Sequence, residues 1–358
     1  MFQQSHRRRY TKIFLFALIG LFGAVGQAWA LSFVYVANSG SSTVSAYTIT
    51  PGTGALTPIA GSPFAAGLNA HSVTVSPNGA FAYVTNSGSS TVSAYTITPG
   101  TGVLTPIAGS PFAAGSFPIS VTVSPNGAFA YVANYGSDNV SAYTIAAGTG
   151  VLTPVAGSPF AAGLDAHSVT VSPNGAFAYV ANQMSNTVSA YTIAAGTGVL
   201  TPVAGSPFAA GSFPISVTVS PNGAFAYVAN QMSNTVSAYT IAAGTGVLTP
   251  VAGSPFAAGS GPYSVTVSLN GAFAYVANVN GNNVSAYTIA ADTGVLIPVA
   301  GSPFATGVFP ISVIVSPDLV PPPPHAVVSI PTLSPIGFIL LALALIVAVA
   351  VQRCRLLH

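Results

Sequence analysis

The hexapeptide Phe33-Val34-Tyr35-Val36-Ala37-Asn38 has close copies beginning at Phe81, Phe129, Phe177, Phe225 and Phe273, each 48 residues after the last, with no insertion or deletion. A fixed period of this length makes each unit one supersecondary module, which cannot bury its apolar surface alone and must pack against copies of itself. The second unit holds four strand candidates, Ser72–Ser76, Phe81–Asn86, Thr91–Ile97 and Leu104–Ala108. Between them lie Ser76-Pro77-Asn78-Gly79, Ser87-Gly88-Ser89-Ser90 and Pro99-Gly100-Thr101-Gly102. Pro presets turn geometry, Asn tolerates it and Gly supplies positive φ, so these are hairpin turns. Four short antiparallel strands in a unit of about 40 to 50 residues make a propeller blade.

The strands themselves favour that reading. A sheet with one wet face alternates apolar and polar residues, but Phe129-Ala130-Tyr131-Val132-Ala133 is apolar on both faces. Blades pack against a neighbour on each side, and small Ala between large aromatics lets them interdigitate. A parallel solenoid also stacks repeats, yet its coils are shorter and the hairpin signals suit antiparallel strands. The chain opens on a second-type strand, Phe33–Asn38, and ends on a first-type strand, Ser312–Ser316, followed by Pro317-Asp318 and no further strand. The expectation over residues 31–318 is therefore an all-β, six-bladed propeller of four-stranded antiparallel blades. Its last strand should pair into the first sheet, leaving no open edge.

Charge placement excludes whole classes of partner. Only 3% of the residues are charged, and all six basic ones, Arg7, Arg8, Arg9, Lys12, Arg353 and Arg355, lie near the two ends. Between Leu31 and Gln352 there is no Lys, Arg or Glu, and the acids are Asp138, Asp165, Asp292 and Asp318. Displacing counterions from phosphates takes Lys or Arg, so nucleic acid is excluded and phosphorylated substrates are disfavoured. The single cysteine, Cys354, rules out a disulfide framework or a cysteine metal site.

Both ends read as addresses. Residues 1–30 carry Arg7-Arg8-Arg9 and Lys12, an apolar stretch from Ile13 to Val25, and Ala28-Trp29-Ala30, the pattern of a secretory signal cut after Ala30. Residues 319–329 form a linker stiffened by Pro321 to Pro324. An apolar run, 336–351, then precedes Arg353 and Arg355. As a helix it rises about 24 Å, slightly less than the ~30 Å hydrocarbon core, and the basic end favours a cytoplasmic terminus. Ile330-Pro331-Thr332-Leu333, the helix and the basic cluster together resemble the IPTL-CTERM sorting signal of Gram-negative bacteria over residues 330–358, with Pro335-Ile336 departing from the usual pattern before Gly337. The resemblance implies export, membrane anchoring through the helix, contact with export and sorting machinery, and display at the cell envelope or surface.

The repeat resembles the YVTN-type β-propeller unit, most closely at Tyr83-Val84-Thr85-Asn86. The wider pattern, a Ser-Pro-Asn-Gly turn, the hexapeptide and then Val-Ser-Ala-Tyr, is similar to the lactonase-like β-propeller family. That family is usually seven-bladed, and its active members are thought to use His with charged partners such as Arg and Glu around the channel. This region has neither Arg nor Glu. Units also match better two apart: Leu68-Asn69-Ala70-His71 with Leu164-Asp165-Ala166-His167, and Ser116-Phe117-Pro118-Ile119 with Ser212-Phe213-Pro214-Ile215.

The loops entering the first strand of each unit should open at one channel mouth, and they carry His71, Pro118, His167, Pro214, Pro262 and Pro310. No catalytic set stands out; His71 and His167 are the candidates to act as bases activating water, with Asp165 two residues before His167 as the third candidate. Two His and one Asp in separate units is a thin set for a metal, and single acids such as Asp138 or Asp292 do not make a calcium site, so neither metal nor cofactor is expected. The second-to-third-strand loops, including Tyr135-Gly136-Ser137-Asp138, Gln183-Met184-Ser185-Asn186 and Val279-Asn280-Gly281-Asn282, are rich in hydroxyl and amide groups suited to carbohydrate. The missing catalytic charges favour a non-catalytic, envelope-displayed propeller with a structural or ligand-binding role, in adhesion or matrix association. The alternative is a divergent lactonase-like hydrolase acting at the channel mouth.

Overall fold

The computed structural model describes residues 32–50 and 53–315. Six antiparallel sheets follow one another, one per repeat, and the only helical element among the described residues is a 3-10 turn, Tyr135–Ser137. The second sheet is representative: Ala70–Val75, Phe81–Asn86, Thr91–Ile97 and Leu104–Pro106 pair in chain order, with Val73 opposite Val84, Tyr83 opposite Ala94 and Tyr95 opposite Pro106. A fifth, two-residue strand, Phe112–Ala113, pairs with the start of the third, at Thr91 and Val92. The blades are thus not purely four-stranded. The first sheet lacks an innermost strand and begins at Phe33–Asn38.

Every residue of Phe81–Asn86 is buried, as double-sided packing requires. Each joint between sheets repeats the same contacts. Phe81 lies against Gly150 of the next sheet, where an added Cβ would come within 2.4 Å of the ring, and the Tyr83 hydroxyl donates to the Gly150 carbonyl at 3.0 Å. Glycine is required there twice over, since its φ is +72°. The Asn that ends the hexapeptide is fully buried in the second to sixth sheets, and Asn86 Nδ2 donates to Thr91 Oγ1 and Ser93 Oγ, tying the second strand to the third.

The array curves about an axis. His167, on the innermost strand of the fourth sheet, meets Tyr263 of the sixth edge-to-face at 6.2 Å between ring centroids. A linear stack would hold these two apart by the whole of the fifth sheet. This is an all-β propeller.

The expected strand clasp is not formed. Ile311–Ile314 is not in a strand, and among the described residues nothing pairs with the free edge of Phe33–Asn38. Instead Val313 N–H donates to Ser264 Oγ at 3.3 Å, as Val265 N–H does to Ser216 Oγ at 3.2 Å. The segment thus stands where one more blade would put its innermost strand. The physical reason is the joint itself. Each sheet positions the next by the same contacts, and that spacing carries the chain onward rather than back to the first sheet. The starting face stays open: Leu56 is 51% exposed where its equivalent Leu104 is 4% exposed, and nothing lies within 4 Å of a Cβ built on Gly54.

No helix among the described residues is long and apolar enough to cross a membrane. The signal-like segment 1–30, the linker 319–329, and the tail with Ile330, Pro331, Thr332, Leu333 and the expected helix 336–351 lie outside the described residues.

Candidate active site at the channel mouth

Each complete innermost strand carries a β-bulge near its start. In the second sheet Ala70 pairs with Asn86 and Ser72 with Thr85, leaving His71 as the extra residue. In the fourth sheet the same shift falls between Ala166 and Ser168 and frees His167. A bulge re-aims a side chain out of the pleat, and here it turns both imidazoles toward the axis. The third sheet's counterpart is Ile119, the fifth's is Ile215 and the sixth's is Tyr263. The prolines expected beside the histidines are one position out: Pro118 aligns with Ala70, both buried opposite the Asn that ends the hexapeptide.

The two histidines converge. His71, His167, Tyr135, Gln183, Ser87, Phe117 and Ile119 line one cavity of about 330 Å³. His71 Nδ1 lies 2.9 Å from the Ile119 carbonyl. A carbonyl only accepts, so Nδ1 carries the proton, and in the neutral ring Nε2 keeps its lone pair. His167 sits edge-on between Tyr135 and Tyr263. Burial among these rings pushes its pKa down to about 4, opposed by the Ile215 backbone and reinforced by His71. His167 is therefore neutral across the physiological range.

Asp165 does not join the histidines. It acts instead on Tyr135, whose hydroxyl pKa is raised first by burial and then by the Asp165 carboxylate. Its own N–H is held by Asp138 Oδ1 at 2.7 Å, so Asp138 caps a loop. Among the described residues no three His, Cys, Asp or Glu gather as metal ligands. Tyr263 was the residue missed. It lies 96 positions after His167, as His167 lies 96 after His71, and that double period was the available signal.

The shifted histidine has a thermodynamic consequence. The unfolded chain takes up the His167 proton near pH 6.5, the folded chain only near pH 4, so stability falls as pH drops through that window. The loss should reach about 2–3 kcal/mol, allowing for the ring's partial exposure. Denaturation midpoints of the parent and His167→Phe from pH 7 to pH 4 check this: the parent should lose more stability than the variant.

The family described as lactonase, seven-bladed β-propeller, matches residues 28–163, 70–266 and 120–309. The chain belongs to this lactonase family. Its described residues hold six sheets where the family's description gives seven blades. No curated protein sequence matches the chain. Among solved structures it is similar to a protein from Bacteroides uniformis proposed to be a 6-phosphogluconolactonase. That match has 22% identity and a TM-score of 0.69, covering 80% of this chain and 86% of that one. The periplasmic gluconolactonase of Pseudomonas aeruginosa matches at 21% identity and TM-score 0.63, covering 76% and 82%. Hydrazine synthase of Kuenenia stuttgartiensis matches at 18% and 0.61, covering 80% and 87%. At these identities the likeness is one of fold, and it spans proteins of different chemistry. Membership of the lactonase family favours the hydrolase reading over a non-catalytic role in adhesion.

Proposed function

We propose that this lactonase-family propeller hydrolyses an uncharged sugar lactone at the channel mouth. The observation that carries the proposal is the convergence of His71 and His167, 96 residues apart, on one cavity. His71 Nε2 takes a proton from a water molecule, which attacks the lactone carbonyl. The tetrahedral intermediate collapses with cleavage of the ring C–O bond, and the proton passes to the departing hydroxyl. The Gln183 side-chain amide is in the cavity wall to donate a hydrogen bond to the oxyanion. His167, neutral and clamped between tyrosines, positions the sugar. The signal-like and tail-like ends support placing this activity on the exported side of a bacterial inner membrane.

Substrate charge separates this reading from that of a phosphogluconolactonase. A phosphate taken from water needs cationic partners, and the repeats have neither Lys nor Arg. Glucono-δ-lactone should be hydrolysed with a kcat/KM at least about tenfold above that of its 6-phosphate, the worth of one or more missing charge-assisted hydrogen bonds. A pH-stat assay with both lactones tests it, and a preference for the phosphorylated one would overturn it.

A further inference from the structure

The repeats are so nearly identical that their departures point to local function. Two of them meet in the sixth sheet. At the loop entering the innermost strand, the third, fifth and terminal units carry Phe117, Phe213 and Phe309, all at positive φ of +51°, +59° and +56°. The sixth carries Gly261 at φ +68°, and no ring stands there. In the following loop, Asn280 replaces the Met184 and Met232 of the two preceding sheets. Its amide folds over the vacated place, so a Cβ on Gly261 would come within 2.7 Å of Asn280 Nδ2.

The result is a second cavity of about 470 Å³ between the fifth and sixth sheets, lined by Phe213, Gln231, Met232, Asn234, Ser260 and Asn280. Its volume lies within the range of small-molecule sites, about 300–1,000 Å³. Neither histidine lines it. Three side-chain amides and a hydroxyl both donate and accept hydrogen bonds, while Phe213 and Met232 give an apolar wall. Asn234 Oδ1 is already committed to Gly261 N–H at 2.8 Å, which fixes that amide and leaves its NH₂ to donate. No titratable group lines the cavity. Neutral saccharides have the complementary surface: hydroxyls that donate and accept, and a C–H face that stacks on an aromatic ring.

We infer that this cavity is a binding site for a neutral oligosaccharide, independent of hydrolysis at the histidines. The test is isothermal titration of the full chain with cellotetraose, maltotetraose and tetragalacturonate. At least one neutral tetrasaccharide should bind and the charged one should not. Gly261→Phe restores the residue found at this position in other units, so the backbone tolerates it, and it should weaken binding at least tenfold. Asn280→Ala should weaken it severalfold, and His71→Ala should leave it unchanged. Thermal unfolding of each variant confirms that the fold survives. Failure of both neutral sugars to bind, equal binding of tetragalacturonate, or undiminished binding by folded Gly261→Phe would each overturn the inference.

Discussion

Replacing Gly198 with valine should cost about 2–5 kcal/mol of stability, whereas the same change at Gly54 should cost only about 1–2 kcal/mol. The two glycines hold the same place in their sheets, with φ of +74° and +68°. The backbone strain of a side chain is therefore shared, roughly 1–2 kcal/mol. What differs is the neighbour. A Cβ on Gly198 would meet Phe129 Cδ1 at 2.4 Å, and that ring is 5% exposed and cannot withdraw. Overpacking adds about 1–3 kcal/mol. Around Gly54 nothing lies within 4 Å. Chemical denaturation of both variants gives the comparison. Equal losses would mean that the first sheet's socket is filled in solution and the array has closed on itself.

His71→Ala should lower kcat for glucono-δ-lactone by about 10²–10⁴-fold, the usual contribution of a positioned general base. The ring is exposed at the mouth, and its recorded bond is the one that Nδ1 makes to Ile119, so thermal stability should hardly change. His167→Ala acts differently. It removes the ring that Tyr135 and Tyr263 clamp and leaves a gap beside the substrate, so KM should rise along with a smaller loss of kcat. Steady-state kinetics at several pH values separates the two. A His71→Ala variant with parental kcat would place the base elsewhere.

Much of the fold was legible in the residues because the period is long and free of insertions. Phe81–Asn86 and Thr91–Ile97 were expected with the ends the structure shows, since their turns are marked by Gly, Asn and Ser. The strand Phe112–Ala113 was not, because two residues carry no alternation. The terminal clasp was misread for a different reason. Ile311–Ile314 has a strand's pattern, but pattern does not choose a partner, and the repeated spacing of Tyr-to-Gly contacts does. The candidate site was half legible. His71 and His167 stood out as the histidines of repeats without Lys, Arg or Glu, but their meeting depends on a bulge and on the curvature of the array. The prolines of the same loops stand one position earlier in the 48-residue register, with Pro118 matching Ala70. Asp165, two residues before His167, looked like its partner, but it is not among the residues lining the histidine cavity.

The most direct measurement is a crystal structure of the chain soaked with gluconolactam, an analogue whose ring the protein cannot open. Ligand density bridging the imidazoles of His71 and His167, with the lactam carbonyl facing Gln183, is the result predicted. A lactam seated anywhere else, or a mouth left unoccupied at saturating concentration, would contradict the assignment of this site as the seat of the chemistry.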